Sequence, residues 1–301
     1  MLVGMLLSLG LLLPSTACSD DAVLLVHPDA SELYQRVEKS FAQHLAQACE
    51  ATSDCNGIDL DATDKMPEDA AKYQLVIPLG HQASTQAAGL PRSTSQLHLL
   101  VSQTRFANPD GCCSDASAIF LEQPVDRQLA FIKALLPERQ RVGVLLSPES
   151  DKQYRQPLLK AADKLGLELV LLRIEDAEQL GPTLHGMRGQ IDVLLALPDP
   201  AIYNRNTLAN VLLSTYRYRI PVIGFSAGLV KAGALGSVFS SPEQLGQQAA
   251  ELALQLLENP EARIHTLPNR QTFAVNRQVA RSLGLKLPTD DELHAIWSDQ
   301  P

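Results

Sequence analysis

The stretch from residue 191 to 241 limits what this chain can fold into more than any other. It opens with an apolar run at 193–197 (VLLAL), passes through a loop and a helix, and meets a second apolar run at 221–225 (PVIGF). A short turn-helix and a third apolar run follow. Strands that alternate with helices pair in parallel, because parallel neighbours need a long crossover connection. In such a sheet the loops leaving the strands' C-terminal ends line a crevice for ligand. Here those loops carry Pro198, Asp199, Pro200, Ala201, Ile202, Tyr203 and Asn204, and then Gly224, Phe225, Ser226, Ala227 and Gly228.

The same alternation runs through the rest of the chain. Strands are expected at 22–26, 57–61, 74–78, 97–101 and 118–121, with a helix from 32 to about 48 capped by Ser31. The loops leaving these strands contain His27, Gly80, His81, Gln82, Ser102 and Arg105. A second array begins with a helix at 125–136, followed by a strand at 141–146, an exit loop at 147–151, a helix at 157–165 and a strand at 167–173. Beyond the opening stretch, the spacing predicts a long helix at 243–257, a strand at 272–275 and a helix at 276–283. Two βαβ arrays of similar size, with no flexible linker between them, imply an α/β protein of two Rossmann-like lobes with parallel sheets.

A chain of 301 residues suffices for one large or two ordinary domains. With 45% hydrophobic and 20% charged residues it is globular rather than disordered. The net charge of −9, without a lysine or arginine cluster, argues against nucleic acid as a partner. Tyr216 and Tyr218 flank Arg217 and Arg219, which reads as a solvated helix end.

Residues 1–17 form an apolar run ending in small residues, the length of a signal-peptide core rather than a membrane span. The end of it fits two patterns. Ser15-Thr16-Ala17 suits ordinary signal cleavage, whereas Ala17-Cys18-Ser19-Asp20 suits a lipoprotein junction at which Cys18 is lipidated. Either places the mature chain in the periplasm or cell envelope. Export makes disulfides plausible, and Cys49, Cys55, Cys112 and Cys113 allow three connectivities, with Cys49–Cys55 the preferred pair in an oxidising compartment. No histidine stands at ligand spacing beside these cysteines, so no metal is expected, and no cofactor either.

The runs VLLALPDPAIYN and RIPVIGFSAGLVKAGALGSVFS, the helix containing Gly246, and FAVNRQVARSLGLKLP occur in an order that resembles the tryptophan/tyrosine-type solute-binding proteins of ABC transporters. These are a branch of the type I periplasmic binding proteins. The resemblance covers roughly residues 118–288, with LVIPLGHQAS matching in outline further upstream. Where that family carries a Gly-Asn-Ile-Thr-Gly turn, this chain has Asn108-Pro109-Asp110-Gly111-Cys112-Cys113.

The resemblance implies a monomeric clamp with hinge crossings near 124, 240 and 265. One lobe would comprise residues 18–124 and 241–264, the other 125–240 and 265–301. It would hold a small molecule, by default an amino acid, for an ABC permease or another membrane receptor. Asp199, Tyr203 and Asn204 fall on the family's Asp-containing loop, and Gly224, Phe225 and Ser226 on its second-strand exit. The chemistry agrees: Asp199 suits an ammonium, Tyr203 a stacked ring, and small Gly224 and Ser226 leave backbone amides open to a carboxylate. From the first lobe His27, Gly80, His81, Gln82 and Ser102 join them, with Arg105 as the planar, bidentate carboxylate anchor.

Two readings from other classes stand beside this one. Gly224-Phe225-Ser226-Ala227-Gly228 satisfies the G-x-S-x-G nucleophile elbow of serine hydrolases. Its partners would come from Asp290 or Asp291 with His294, or from His265, and no glycine-rich oxyanion loop lies upstream. The other is an orphan binding component that feeds a sensor or outer-membrane receptor. His44, His98 and His185 lack partner spacing and default to structural roles.

Overall fold

The computed structural model describes residues 22–29, 31–51, 58–106 and 115–298. The signal segment 1–17, Cys18, Cys55, Cys112 and Cys113 lie outside the described residues.

The chain begins β1 (Ala22–Val26), α1 (Glu32–Ala51), β2 (Asp59–Thr63), β3 (Leu75–Pro78), α2 (Gly80–Ala87), β4 (Ser95–Val101), α3 (Gln103–Phe106) and β5 (Ser117–Phe120). It crosses into α4 (Val125–Leu135), β6 (Arg141–Leu146), α5 (Pro148–Leu165), β7 (Glu168–Arg173), α6 (Leu180–Gly186), β8 (Val193–Leu195), α7 (Leu208–Arg217), β9 (Val222–Gly224), α8 (Ala227–Ala232) and β10 (Gly236–Phe239). It ends with α9 (Pro242–Glu258), β11 (His265–Thr266), β12 (Thr272–Val275), α10 (Arg277–Leu283) and α11 (Asp290–Ser298).

These strands make two six-stranded sheets, ordered β11-β5-β4-β3-β1-β2 and β12-β10-β9-β8-β6-β7. All pairings are parallel except β10 with β12, which closes one edge antiparallel. Each sheet is covered by helices on both faces, so its central strands are apolar throughout rather than alternating: β3 (LVIP) and β5 (SAIF) are buried at every position. The α/β architecture of two parallel-stranded lobes expected from the sequence is the one observed.

The helix α9 returns the chain to the first lobe. Its N-terminus is fixed by a capping box, in which Ser241 Oγ accepts the Gln244 N–H while Gln244 Oε1 accepts the Ser241 N–H, with Pro242 in the first turn. It lies on α1, and Gly246 makes the close approach possible: a Cβ there would stand 2.5 Å from the Val37 carbonyl oxygen. Arg36 clasps Glu243 with two hydrogen bonds, at 2.7 and 3.1 Å.

Three segments join the lobes, at 121–124, 240–241 and 267–271, and side chains tie them together. Gln123 Nε2 donates to Ser240 Oγ at 2.8 Å, and Ser240 Oγ donates to the Arg270 carbonyl. Arg127 donates to both Gln123 Oε1 (2.7 Å) and the Pro268 carbonyl (3.0 Å). The third crossing falls later than the 265 expected, because His265 and Thr266 pair beside β5 and extend the first sheet.

One element differs in a way that matters for the site. The sequence reading makes 147–151 a loop and starts a helix at Pro157. Instead Ser147 is the N-cap of a continuous α5, its Oγ accepting the Ser150 N–H, with Pro148 at the first position and Pro157 inside the helix. Ser147-Pro148 is itself a start signal, and the helix runs through Pro157 although that residue lacks the N–H bond to the carbonyl four residues back and crowds that carbonyl. The residues between are therefore helical, and Ser150 and Tyr154 among them are buried.

Candidate ligand-binding cleft

The C-terminal ends of β3 and β4 face those of β8 and β9 across a cleft of about 330 Å³. His81, Leu100, Val101, Ser102 and Leu121 line it from the first lobe, and Pro198, Asp199, Pro200, Tyr203 and Phe225 from the second. Its walls are mainly apolar with a few convergent polar groups, the usual constitution of a small-molecule site.

On the second lobe, Tyr203 and Phe225 meet edge to face, their ring centroids 6.2 Å apart at 67°. The Tyr203 hydroxyl is buried without a hydrogen-bond partner among the described residues. Burial and the neighbouring Asp199 charge both push its pKa well above the ordinary tyrosine value. Asp199 is 3% exposed and already engaged: Oδ2 accepts the Ser147 N–H at 3.0 Å and the Ser150 hydroxyl at 2.6 Å, and Oδ1 accepts the Ala201 N–H at 3.0 Å. Its carboxylate thus organises the cleft wall, and what it offers a ligand is a fixed negative charge rather than an unoccupied acceptor.

On the first lobe, the chain leaves β4 through a bulge at Leu99–Val101, where Leu100 takes φ +57°. A leucine in the left-handed region is a strained backbone, and strain of this kind gathers at binding sites. Ser102 Oγ lies 3.2 Å from Thr104 Oγ1 at the start of α3. Arg105 belongs to α3 in its backbone; its side chain is outside the described residues.

Other expected residues sit beside the cleft rather than in its lining. His27 Nδ1 is 2.7 Å from the Asp29 carbonyl, its ring stacks on Tyr34 and its Nε2 faces Glu38 at 3.5 Å. Gly80 opens α2 with φ +79°, and a Cβ there would come within 2.8 Å of the Tyr34 hydroxyl. Gln82 is exposed on α2. Asn204 folds its own loop, its Nδ2 donating to the Pro200 carbonyl and its Oδ1 accepting the Asn206 N–H. Gly224 has no room for a side chain, a Cβ meeting Leu229 Cβ at 2.9 Å.

Ser226 caps α8, its Oγ accepting the Leu229 N–H at 3.3 Å. Three of the side chains that the hydrolase pattern would recruit have contacts of their own. His265 Nε2 bonds the Ala116 carbonyl in the first sheet, His294 packs on Phe273, and Asp290 pairs with Arg277.

Leu100, Val101, Leu121, Pro198 and Pro200 are lining residues beyond those singled out from the sequence. The two prolines lie in the opening segment's exit loop and were legible there; the apolar three look like any core residue. Ser147 and Ser150, which hold Asp199, were hidden by the misplaced start of α5.

Two lobes with parallel sheets, joined by three short crossings and facing each other across a lined cleft, define the solute-clamp class of α/β proteins. The family model for ABC transporter substrate binding protein matches residues 119–294, and the chain belongs to that family. A tyrosine-binding protein of Clostridioides difficile (strain R20291) is 26% identical over 181 residues, 58% of this chain; the match spans about half, 52%, of that relative. Among solved structures, an ABC domain in complex with L-Trp from Streptococcus pneumonia aligns with TM-score 0.62 at 18% identity, over 91% of this chain and 97% of that one. A ligand-free, open substrate-binding protein with adhesive properties from Clostridium difficile aligns with TM-score 0.67 at 19% identity, over 90% and 97%.

Proposed function

We propose that this protein captures an amino acid with an apolar or aromatic side chain between its lobes and presents it to an ABC-type permease. The observation that carries this reading is the cleft itself, walled by Leu100, Val101 and Leu121 on one side and by Tyr203 and Phe225 on the other. Apolar walls from two lobes reward closure, because bringing them together over an apolar solute removes both from water. Asp199 sets a negative field at the cleft wall suited to an ammonium group. The tyrosine-binding relative and the L-Trp complex of the same fold support the choice of ligand class. Closure is a population shift driven by the ligand's preference for the closed form, with no bond made or broken. We infer further that the chain is exported and held at the membrane by a lipid on Cys18, acts as a monomer, and pairs Cys49 with Cys55.

A thermal-unfolding screen of the purified protein against amino acids, peptides, purines and sugars tests the reading. At a hundredfold excess over Kd, a single-site ligand stabilises the fold by about 2.7 kcal/mol. The expected result is stabilisation by tyrosine or tryptophan that Tyr203→Ala removes. No stabilisation by any amino acid would overturn it.

A further inference from the structure

Behind the cleft, the first crossing carries a carboxyl group that the clamp's binding surface does not use. Glu122 stands two residues after the end of β5 and is 1% exposed. Its Oε1 accepts the Gln103 N–H of α3 at 2.9 Å, in the first lobe; its Oε2 is buried without a hydrogen-bond partner among the described residues. Facing it from the second lobe is Tyr154 of α5, 4% exposed, whose hydroxyl is near enough to act on the Glu122 carboxyl but completes no hydrogen bond of good geometry among the described residues. Two orphaned buried polar atoms, one an acceptor and one a donor, are thus presented to each other across the hinge.

We propose that Glu122 and Tyr154 form a proton-linked latch: with the carboxyl ionised, the Tyr154 hydroxyl donates to Oε2 and draws α5 onto the first crossing, favouring the closed lobes, and protonation releases it. An ionised oxygen buried without a donor costs far more than a protonated one, so ionisation demands this contact. The latch reaches the cleft through α5, because Ser150, one turn before Tyr154, is the residue that hydrogen-bonds Asp199. On the other side it reaches Ser102 through α3, which begins at the residue Glu122 holds. Glu122 is therefore a positioning residue for ligand capture, an inference that rests on the clamp reading above.

The surroundings set the direction of the pH effect. Burial pushes the Glu122 carboxyl up to about 7, against the lowering pull of backbone N–H groups and of the Tyr154 hydroxyl. Tyr154 is raised by burial and then by the Glu122 and Asp199 charges, so it stays a neutral donor at every working pH. From α4, Arg127 turns its guanidinium to Gln123 and Pro268 and is held there. Ligand affinity is accordingly strongest above pH 7 and falls as Glu122 takes up its proton.

Calorimetric titration of L-tryptophan and L-tyrosine into wild type, E122Q and Y154F between pH 5.5 and 8.5 tests this. The expected wild-type Kd rises below pH 7, by at most tenfold per pH unit for one proton, while E122Q shows no such rise. Y154F weakens binding about tenfold at pH 8.5, the worth of a hydrogen bond to a charged group, and much less at pH 5.5. A wild-type pH profile retained in E122Q, or an unchanged Kd in Y154F at pH 8.5, would overturn the latch. Should E122Q not fold, Y154F decides alone. If neither amino acid binds wild type, the proposed ligand class fails, and the latch is read without ligand. Small-angle scattering should then find ligand-free wild type more closed at pH 8.5 than at 5.5, and Y154F equally open at both. Equal openness of wild type at the two pH values would refute it.

Discussion

Ser150 Oγ donates to Asp199 Oδ2 across 2.6 Å of buried space, tying the first turn of α5 to the loop that leaves β8. With the Ser147 and Ala201 backbone N–H groups, it gives the Asp199 carboxylate three internal donors. The loop that forms one wall of the cleft is thus folded around this side chain before any ligand arrives.

Asp199→Ala should therefore cost stability as well as binding. It leaves the buried donors of Ser147 and Ser150 without their carboxylate acceptor, and one such group alone costs about 1–3 kcal/mol. We expect a loss of about 3 kcal/mol in urea unfolding of the ligand-free protein, with an unchanged m-value. A variant as stable as wild type would mean that the carboxylate is not needed to shape the loop.

Tyr203→Phe should act in opposite directions on stability and on binding. Removing a buried hydroxyl that lacks a hydrogen-bond partner among the described residues relieves a desolvation penalty, so the ligand-free protein gains about 1 kcal/mol. If that hydroxyl meets the ligand's polar group, affinity for the amino acid falls about tenfold, the worth of 1.4 kcal/mol. Thermal unfolding with and without ligand reads both effects from one set of curves.

Gly246 offers a contest between two local effects. Alanine in a helix interior gains about 1 kcal/mol over glycine. Here its Cβ would meet the Val37 carbonyl oxygen at 2.5 Å and the Phe41 backbone nitrogen at 2.8 Å, atoms that move only if α1 and α9 separate. Overpacking against backbone costs about 1–3 kcal/mol, so Gly246→Ala should destabilise by up to about 2 kcal/mol net of the propensity gain. Denaturant titration gives the sign directly; a stabilised variant would show that the two helices can part cheaply.

Much of this molecule could be read from the chain alone, for physical reasons that also explain the misses. Apolar runs such as AVLLV and RVGVLL announce buried parallel strands, and 22–26 and 141–146 fall where expected. Tyr203, Phe225, His81 and Ser102 reach the cleft because exit loops of parallel strands must converge there. What the pattern conceals is long-range polar pairing. Nothing near Asp199 in sequence says that its donors lie some fifty positions earlier, and nothing marks Glu122 as buried. Ser226 fits a catalytic pattern, yet a serine before a short helix is also an N-cap, and its Oγ accepts the Leu229 N–H in that role. The short β11 carries too few residues to register as a strand, and it alone moves the third crossing past 266.

Two buried groups in the first lobe and its crossing pull the pH dependence of stability in opposite directions. Burial holds His98 neutral, taking its pKa from 6.5 down to about 3, its Nε2 3.0 Å from Gln96 Oε1. A depressed histidine contributes stability that is complete above 6.5 and is lost as pH falls toward 3, because the unfolded chain takes up the proton first. Glu122 is raised from 4.5 to about 7, so its effect has the other sign: stability is greatest below 4.5 and declines as pH rises toward 7. Between 4.5 and 6.5 the unfolded state therefore binds one proton more at His98 and one fewer at Glu122. Each alone would give a slope of about 1.4 kcal/mol per pH unit, and together they leave these two groups' contribution nearly flat. Removing either partner should expose the other. Relative to wild type, E122Q should lose stability on acidification through this window by up to about 1.4 kcal/mol per pH unit, and His98→Gln should gain it by a similar amount. Urea unfolding at pH 4.5, 5.5 and 6.5 on the three proteins measures both slopes, and parallel curves for all three would show that neither group holds its unusual proton state in the folded chain.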